Sequence, residues 1–200
     1  MDHLRFSGKT DLEQRRVLEV IVRDTPLLME VLRGMREIGL PEWWVASGAI
    51  YNSVWNHLTN QPPEAGIKDF DVIYFDDGDL SYEAEDVQIS LVSEKFGNIA
   101  IPIELRNQAR THIWYPGRFG RPYAALKSAA ESLERYASKT HAVAVRLEAD
   151  DSMTISAPFG LDYMFSFQMV PNHAIENRDT HEAKGARAKA IWPELEVLPW

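Results

Sequence analysis

The chain has no cysteine among its 200 residues, so disulfide frameworks, thiol catalysis and thiolate zinc sites lie outside its repertoire. Its six histidines, His3, His57, His112, His141, His173 and His181, include no i, i+4 pair, which counts against a histidine zinc site. No stretch approaches the roughly 18 uncharged apolar residues of a membrane span. The segment Met1 to Asp11 lacks the apolar core of a secretion signal, so a soluble, cytoplasmic protein with no membrane partner is expected. There is no Gly-x-x-x-x-Gly-Lys-Ser/Thr loop and no Gly-x-Ser-x-Gly elbow, which removes P-loop NTPases and α/β-hydrolases. Basic residues are in deficit, 21 Lys and Arg against 30 Asp and Glu, for a net charge of −9. That deficit argues against a broad surface for duplex DNA, since neutralising phosphates needs clustered Lys and Arg.

What is present is a globular composition, with 45% hydrophobic residues. A chain of this length buries about 70% of its unfolded surface and needs no metal or disulfide staple. With no internal repeat or low-complexity run, residues 1–200 read as one domain. Residues 1–40 form a helical segment packed on the core, and 172–200 a helical tail. The charge is unevenly placed. Nine acidic residues and no basic one lie between Asp69 and Glu94. The stretch from Leu105 to Arg146 then carries eight basic residues, Arg106, Arg110, Arg118, Arg121, Lys127, Arg135, Lys139 and Arg146, against Glu131 and Glu134. Either two faces are differently solvated, or one site sets cations beside a polyanion.

Helix signals open the chain: Asp11 to Arg23, capped by Thr10 or Asp11, then Pro26 to Ile38, with Pro26 at its first position and Gly39 ending it. Trp43 to Ala46 is a short apolar run. Ser47-Gly48 follows, and Ala49 to Leu58 reads as helix. Ile67 to Phe75 is a strand apolar on both faces and therefore internal. Ser81 to Phe96 reads as helix, and Ile99 to Arg106 as a strand that Pro102 marks as an edge. Tyr115 to Tyr123 reads as a long loop, Ala124 to Ala137 as helix, His141 to Leu147 and Met153 to Ser156 as a hairpin. Leu161 to Phe167 and Glu176 to Ala190 complete the helical segments. Helices bracketing a few irregularly ordered strands make an α+β fold with a mixed sheet. Trp43, Trp44 and Trp55 sit at positions typical of core packing.

Asp69 and Asp71 share one face of the internal strand, with Cα atoms about 6.7 Å apart. Two carboxylates so placed repel each other and are costly to desolvate unless cations or donors meet them. Their spacing suits a pair of metal ions in phosphoryl transfer, while a strand end leaving the core would leave both solvated. Ser47-Gly48 closes a strand and opens a helix, where backbone N–H groups favour phosphate. Glu104 stands in a second apolar strand, either paired with Arg106 or Arg110 or completing a three-carboxylate site.

These parts in this order resemble the DNA polymerase β-type nucleotidyltransferase superfamily, and within it the bacterial nucleotidyltransferases of the NTP-transferase-6 group. The stretches that carry the likeness are Ser47 to Trp55, Lys68 to Phe75, Glu104 to His112 and Ala157 to Asp162, joined by Arg178, Lys184 and Trp192-Pro193. Tyr51 stands where this group has Arg, Thr111 where it has Met, and Glu104 where Asp is commoner. The resemblance implies a polymerase β-like head like that of tRNA CCA-adding enzymes. It implies Asp69, Asp71 and Glu104 as catalytic, metal-binding carboxylates for two Mg²⁺, or Mn²⁺. It further implies Ser47, Gly48, Asn52, Arg110, His112 and Lys184 as nucleotide or phosphate contacts. The function implied is transfer of a nucleoside monophosphate from an NTP to a hydroxyl acceptor with release of pyrophosphate, the acceptor being a small molecule, an RNA end or a protein. Two alternatives stand beside it. One is a non-catalytic relative that kept the fold to bind nucleotide, RNA or a partner. The other is a glycoside hydrolase using Asp71 and Glu104 as acid and base.

Overall fold

The computed structural model describes residues 2–200. The chain opens with the expected helical hairpin, α1 (Asp11–Arg23) and α2 (Pro26–Ile38). A reciprocal capping box fixes its start: Thr10 Oγ1 accepts from the Glu13 N–H, and Glu13 returns a carboxylate to the Thr10 N–H at 2.9 Å. The apolar stripes of both helices, led by Leu18, Ile21, Leu28, Leu32 and Met35, are fully buried.

Behind the hairpin lies a five-stranded sheet built from β1 (Trp44–Ala46), β2 (Phe70–Tyr74), β3 (Ile103–Asn107), β4 (Ala144–Leu147) and β5 (Met153–Ser156). The strand order is β3-β2-β1-β4-β5. Only β2 and β3 run parallel, and the crossover this demands is supplied by α4 (Tyr82–Lys95). As expected, β2 is internal and β3 an edge. The remaining elements are α3 (Gly48–Thr59), α5 (Thr111–Phe119), α6 (Asp162–Phe165) and α7 (Arg178–Ile191), with a short parallel pair, β6 (Gln168–Met169) and β7 (Glu196–Val197). The architecture is thus α+β with a mixed sheet flanked by helices.

The alternation along β2 sorts its residues as its sequence suggests. Phe70, Val72 and Tyr74 join the main core with α1, α2 and α3. Ile73 faces a smaller cluster with Trp44, Ala46, Ala129, Leu133 and Ala144. Trp43, Trp44 and Trp55 are all core. The register then sets Ala46, Asp71 and Glu104 side by side across three adjacent strands.

Four expectations need correction. The strands expected over 67–75 and 99–106 are shorter, so Asp69 lies just before β2 rather than in it. The run 124–137, rich in helix formers, forms only a 3₁₀ segment, Ala130–Arg135. Tertiary bonds outweigh propensity there: Asn172 Nδ2 donates to the carbonyls of Glu134 and Tyr136 at 2.7 and 2.8 Å, and Arg135 donates to the Ala124 carbonyl. The loop expected from Tyr115 instead continues α5 through Pro116 to Phe119, ended by Gly120 in the left-handed conformation. The C-terminal tail is not helical throughout, because β7 adds to β6.

Candidate active site

The site is assembled where α3 leaves β1. Ser47 takes a backbone conformation unusual for a side-chain-bearing residue, φ 57° and ψ −114°, held by its N–H donating to the Val143 carbonyl at 2.8 Å. Such strain persists only where surroundings enforce it and clusters at functional sites. No side chain caps α3, and the buried Ser47 hydroxyl has no partner. The first turn of α3 therefore presents unmatched backbone N–H groups, the arrangement that receives anions.

Asp71 lies at the meeting point of two cavities. The smaller, about 230 Å³, is lined by Gly48, Tyr51, Asn52, Lys68, Asp69, Asp71, Lys184 and Arg187, with Gly66 at its edge. The larger, about 440 Å³, runs from Asp71, Glu104 and Lys184 to an aromatic wall that includes Tyr123 and Tyr136. Asp71 and Lys184 belong to both. The Asp71 carboxyl is pushed up to about 6, first by burial and then by the charges of Asp69 and Glu104, against the opposing pull of Lys184 and Arg106.

Lys184 and Arg187 are three residues apart on α7 and share a face. What docks that helix is a fully buried histidine, His181. Its Nδ1 bonds Ser138 Oγ at 2.7 Å and its Nε2 the Leu198 carbonyl at 2.8 Å. The cations thus stand over the acids by virtue of a buried hydrogen-bonded histidine below them.

The loop carrying Lys68 and Asp69 is equally constrained. Asn56, buried in α3, donates from Nδ2 to the carbonyls of Pro63 and Ala65 at 3.0 and 2.9 Å. Its Oδ1 accepts from Trp192 Nε1 at 3.1 Å. One turn earlier, Asn52 Nδ2 donates to the Gly66 carbonyl at 3.1 Å. Gly66 has φ +75°, and a Cβ there would meet the Trp192 ring at 2.5 Å, so only glycine fits. Asn52, expected as a phosphate contact, lines the smaller cavity but spends its amide on this loop.

The structure brings together Ser47, Gly48, Asn52, Asp69, Asp71 and Lys184, and sets Glu104 across the larger cavity. It does not bring Arg110 or His112 there; neither lines either cavity. Arg110 is buried in an ion pair with Glu85 and donates from Nε to the Leu80 carbonyl at 3.0 Å, so its charge is consumed structurally. His112 is partly buried, with an unpartnered Nδ1. Glu104, expected to be buried, is half exposed on its edge strand, with Arg106 Nη2 at 3.8 Å.

Several lining residues were not singled out by the sequence reading. Arg187 needed only the i+3 step from Lys184. Tyr136 lies in the segment expected to be helix and Tyr123 at the end of the expected loop before it, and Arg135 packs over the Tyr123 ring at 4.5 Å. His141 is fully buried, stacked on Tyr51 with centroids 4.5 Å apart. Neither of its nitrogens has a partner, and burial, then the charge of Lys184, keeps it uncharged.

The donor set bears on the expected Mg²⁺. Asp69 and Asp71 supply the hard oxygens Mg²⁺ prefers, open to one cavity, and Asp71 is a partly buried carboxylate whose charge a cation would offset. The third ligand does not converge: among the described residues no group of three His, Asp or Glu is placed to hold a metal ion. The acid pair fits a cation; Glu104, as it stands, does not complete the set.

A family model described as nucleotidyltransferase matches residues 33–197. Among solved structures, an NMR structure described as revealing a CCA-adding enzyme head domain superposes with a TM-score of 0.74 at 27% identity, covering 98% of this chain and 100% of that one. No curated relative matches the chain. No helix among the described residues is long and apolar enough to cross a membrane.

Proposed function

The chain belongs to the nucleotidyltransferase family, and on that premise we propose that it moves a nucleoside monophosphate from an NTP to an acceptor hydroxyl, with Asp69 and Asp71 holding Mg²⁺ or Mn²⁺. The observation that carries this reading is the position of Asp71 between two cavities, one lined by cations and the α3 N-terminus, the other by aromatic side chains. Nucleotidyl transfer needs such a junction, because donor phosphates and acceptor must meet in line at one phosphorus. Family membership leaves no support for the glycosidase alternative.

The triphosphate occupies the smaller cavity, against the α3 N–H groups, with Lys68, Lys184 and Arg187 balancing its charge. Asp69 and Asp71 would hold Mg²⁺, which when bound would supply charge neutralisation to the phosphates. The acceptor lies in the larger cavity, its hydroxyl towards Glu104. The acceptor oxygen forms a bond to the α-phosphorus as the α–β anhydride bond breaks. Pyrophosphate carries off that electron pair, and the hydroxyl proton passes to the Glu104 carboxylate and on to solvent. Tyr51 occupies the site of an arginine common in the group, and the charge that residue would provide comes instead from Arg187 in the same cavity.

A panel of α-labelled ATP, GTP, CTP and UTP with Mg²⁺, offered to cell extract plus the protein, tests the reading. Label should pass to an acceptor with wild type and fail to do so with Asp69→Ala/Asp71→Ala. Equal transfer by the double variant refutes it. The half-exposed Glu104, paired with Arg106, favours one alternative, a relative that binds nucleotide without transferring it. That alternative predicts NTP binding and no labelled product with any acceptor.

A further inference from the structure

The larger cavity does not end at its aromatic wall. Tyr115, Arg118, Phe119, Asn177 and Thr180 line both it and a second groove of about 440 Å³, which continues past α5 to the start of α7. The two form one channel from Asp71 and Glu104 to the surface. Along its outer part stand Arg118, Arg121 and Arg178, all exposed. Among the described residues none of the three makes an ion pair, although most arginines elsewhere in the chain do. The acids there, Glu176 and Asp179, are fewer than the arginines and do not pair with them: Arg121 donates to the Glu176 backbone carbonyl rather than its carboxylate, and Glu176 Oε1 accepts from the Arg178 N–H. Between the arginines Phe119 keeps about half its surface exposed, with the Arg118 guanidinium 5.5 Å from its centroid.

A chain with net charge −9 that gathers unpaired arginines at the mouth of its own site is electrostatically set for an anion there. Guanidinium groups suit phosphate by their planar forks, and aromatic faces beside them suit a stacked group. Resting on the nucleotidyltransferase reading, we infer that the acceptor enters by this channel and is a phosphate-bearing molecule, its phosphates held by Arg118, Arg121 and Arg178 and its hydroxyl directed inward to Glu104. That chemistry belongs equally to the end of a nucleic acid strand and to a phosphorylated metabolite.

The test measures binding of two probes, a fluorescein-labelled single-stranded RNA hexamer and radiolabelled fructose 1,6-bisphosphate, to wild type and to Arg118→Gln/Arg121→Gln/Arg178→Gln. All three side chains are exposed, and an unchanged melting temperature verifies that the variant folds. At least one probe should bind wild type, weakening as salt rises, and bind the variant at least tenfold more weakly. RNA alone, the bisphosphate alone, or both then identifies the source. Failure of both probes to bind, or equal binding to the variant, overturns the inference. The stabilisation of the same two proteins by ATP with Mg²⁺ is read in parallel and should be equal. Its absence from wild type counts against the nucleotidyltransferase reading, while the probe comparison judges the channel on its own.

Discussion

Replacing Asn56 by Ala should damage the chain far more than its neutral side chain suggests, and through a defined route. Its amide makes three hydrogen bonds, two partly buried ones to the carbonyls of Pro63 and Ala65 and a buried one from Trp192 Nε1. Truncation leaves the fully buried indole N–H without a partner, a cost of about 1–3 kcal/mol, and removes two loop bonds of about 0.5–1.5 kcal/mol net each. The middle of these ranges sums to about 4 kcal/mol, or a fall in melting temperature of about 8–16 °C for a chain of this size. Urea unfolding followed by circular dichroism reads this directly. Trp192→Phe breaks the same bond from the other side, so the two substitutions should be sub-additive by about 1 kcal/mol or more. Because this clamp sets the loop bearing Lys68 and Asp69, Asn56→Ala should also weaken NTP binding in the folded fraction. A loss under about 0.5 kcal/mol, or strict additivity with Trp192→Phe, contradicts the account.

Other expectations follow from the same geometry. Asp71→Asn should raise the melting temperature of the ligand-free protein at pH 7, because it removes a partly desolvated charge crowded by Asp69 and Glu104, while abolishing transfer; a lower melting temperature refutes this. Arg110→Ala strands the buried Glu85 carboxylate and should cost about 3–5 kcal/mol in urea unfolding. NTP affinity of the folded protein should stay unchanged, whereas a direct phosphate contact would lose affinity without much loss of stability. Thr10→Ala opens the α1 capping box and should cost about 1 kcal/mol in the same assay, with no effect on nucleotide.

Much of the candidate site can be read from sequence because its signals are local. The acids at 69 and 71 stand out by alternation, and Ser47-Gly48 by its place between a strand and a helix. Lys184 needed the family pattern, since nothing in α7 itself announces a site. Arg110 was misassigned because its partner, Glu85, lies 25 residues away on another element, and no spacing rule reaches across a sheet. The segment 124–137 departs from helix for a related reason: its composition is that of a helix, but Asn172 satisfies two of its carbonyls from outside and Arg135 folds back on the Ala124 carbonyl. Arg135 and Tyr136 of that segment, with Tyr123 just before it, line the larger cavity. Glu104 shows the limit of burial arguments from sequence: Pro102 marks its strand as an edge, and β3 is the sheet edge, so apolar neighbours such as Ile103 and Leu105 do not bury the carboxylate between them.

The central claim is that Asp69 and Asp71 bind nucleotide through a divalent cation. Thermal melting of wild type and Asp69→Ala/Asp71→Ala, with and without each NTP and with and without Mg²⁺ or Mn²⁺, tests it most directly. At about 100 times its Kd a ligand stabilises by roughly 2.7 kcal/mol, so at least one NTP should raise the wild-type melting temperature by about 5 °C or more, only with the cation present and not in the double variant. No shift with any NTP and either cation, or the same shift in the double variant, contradicts it.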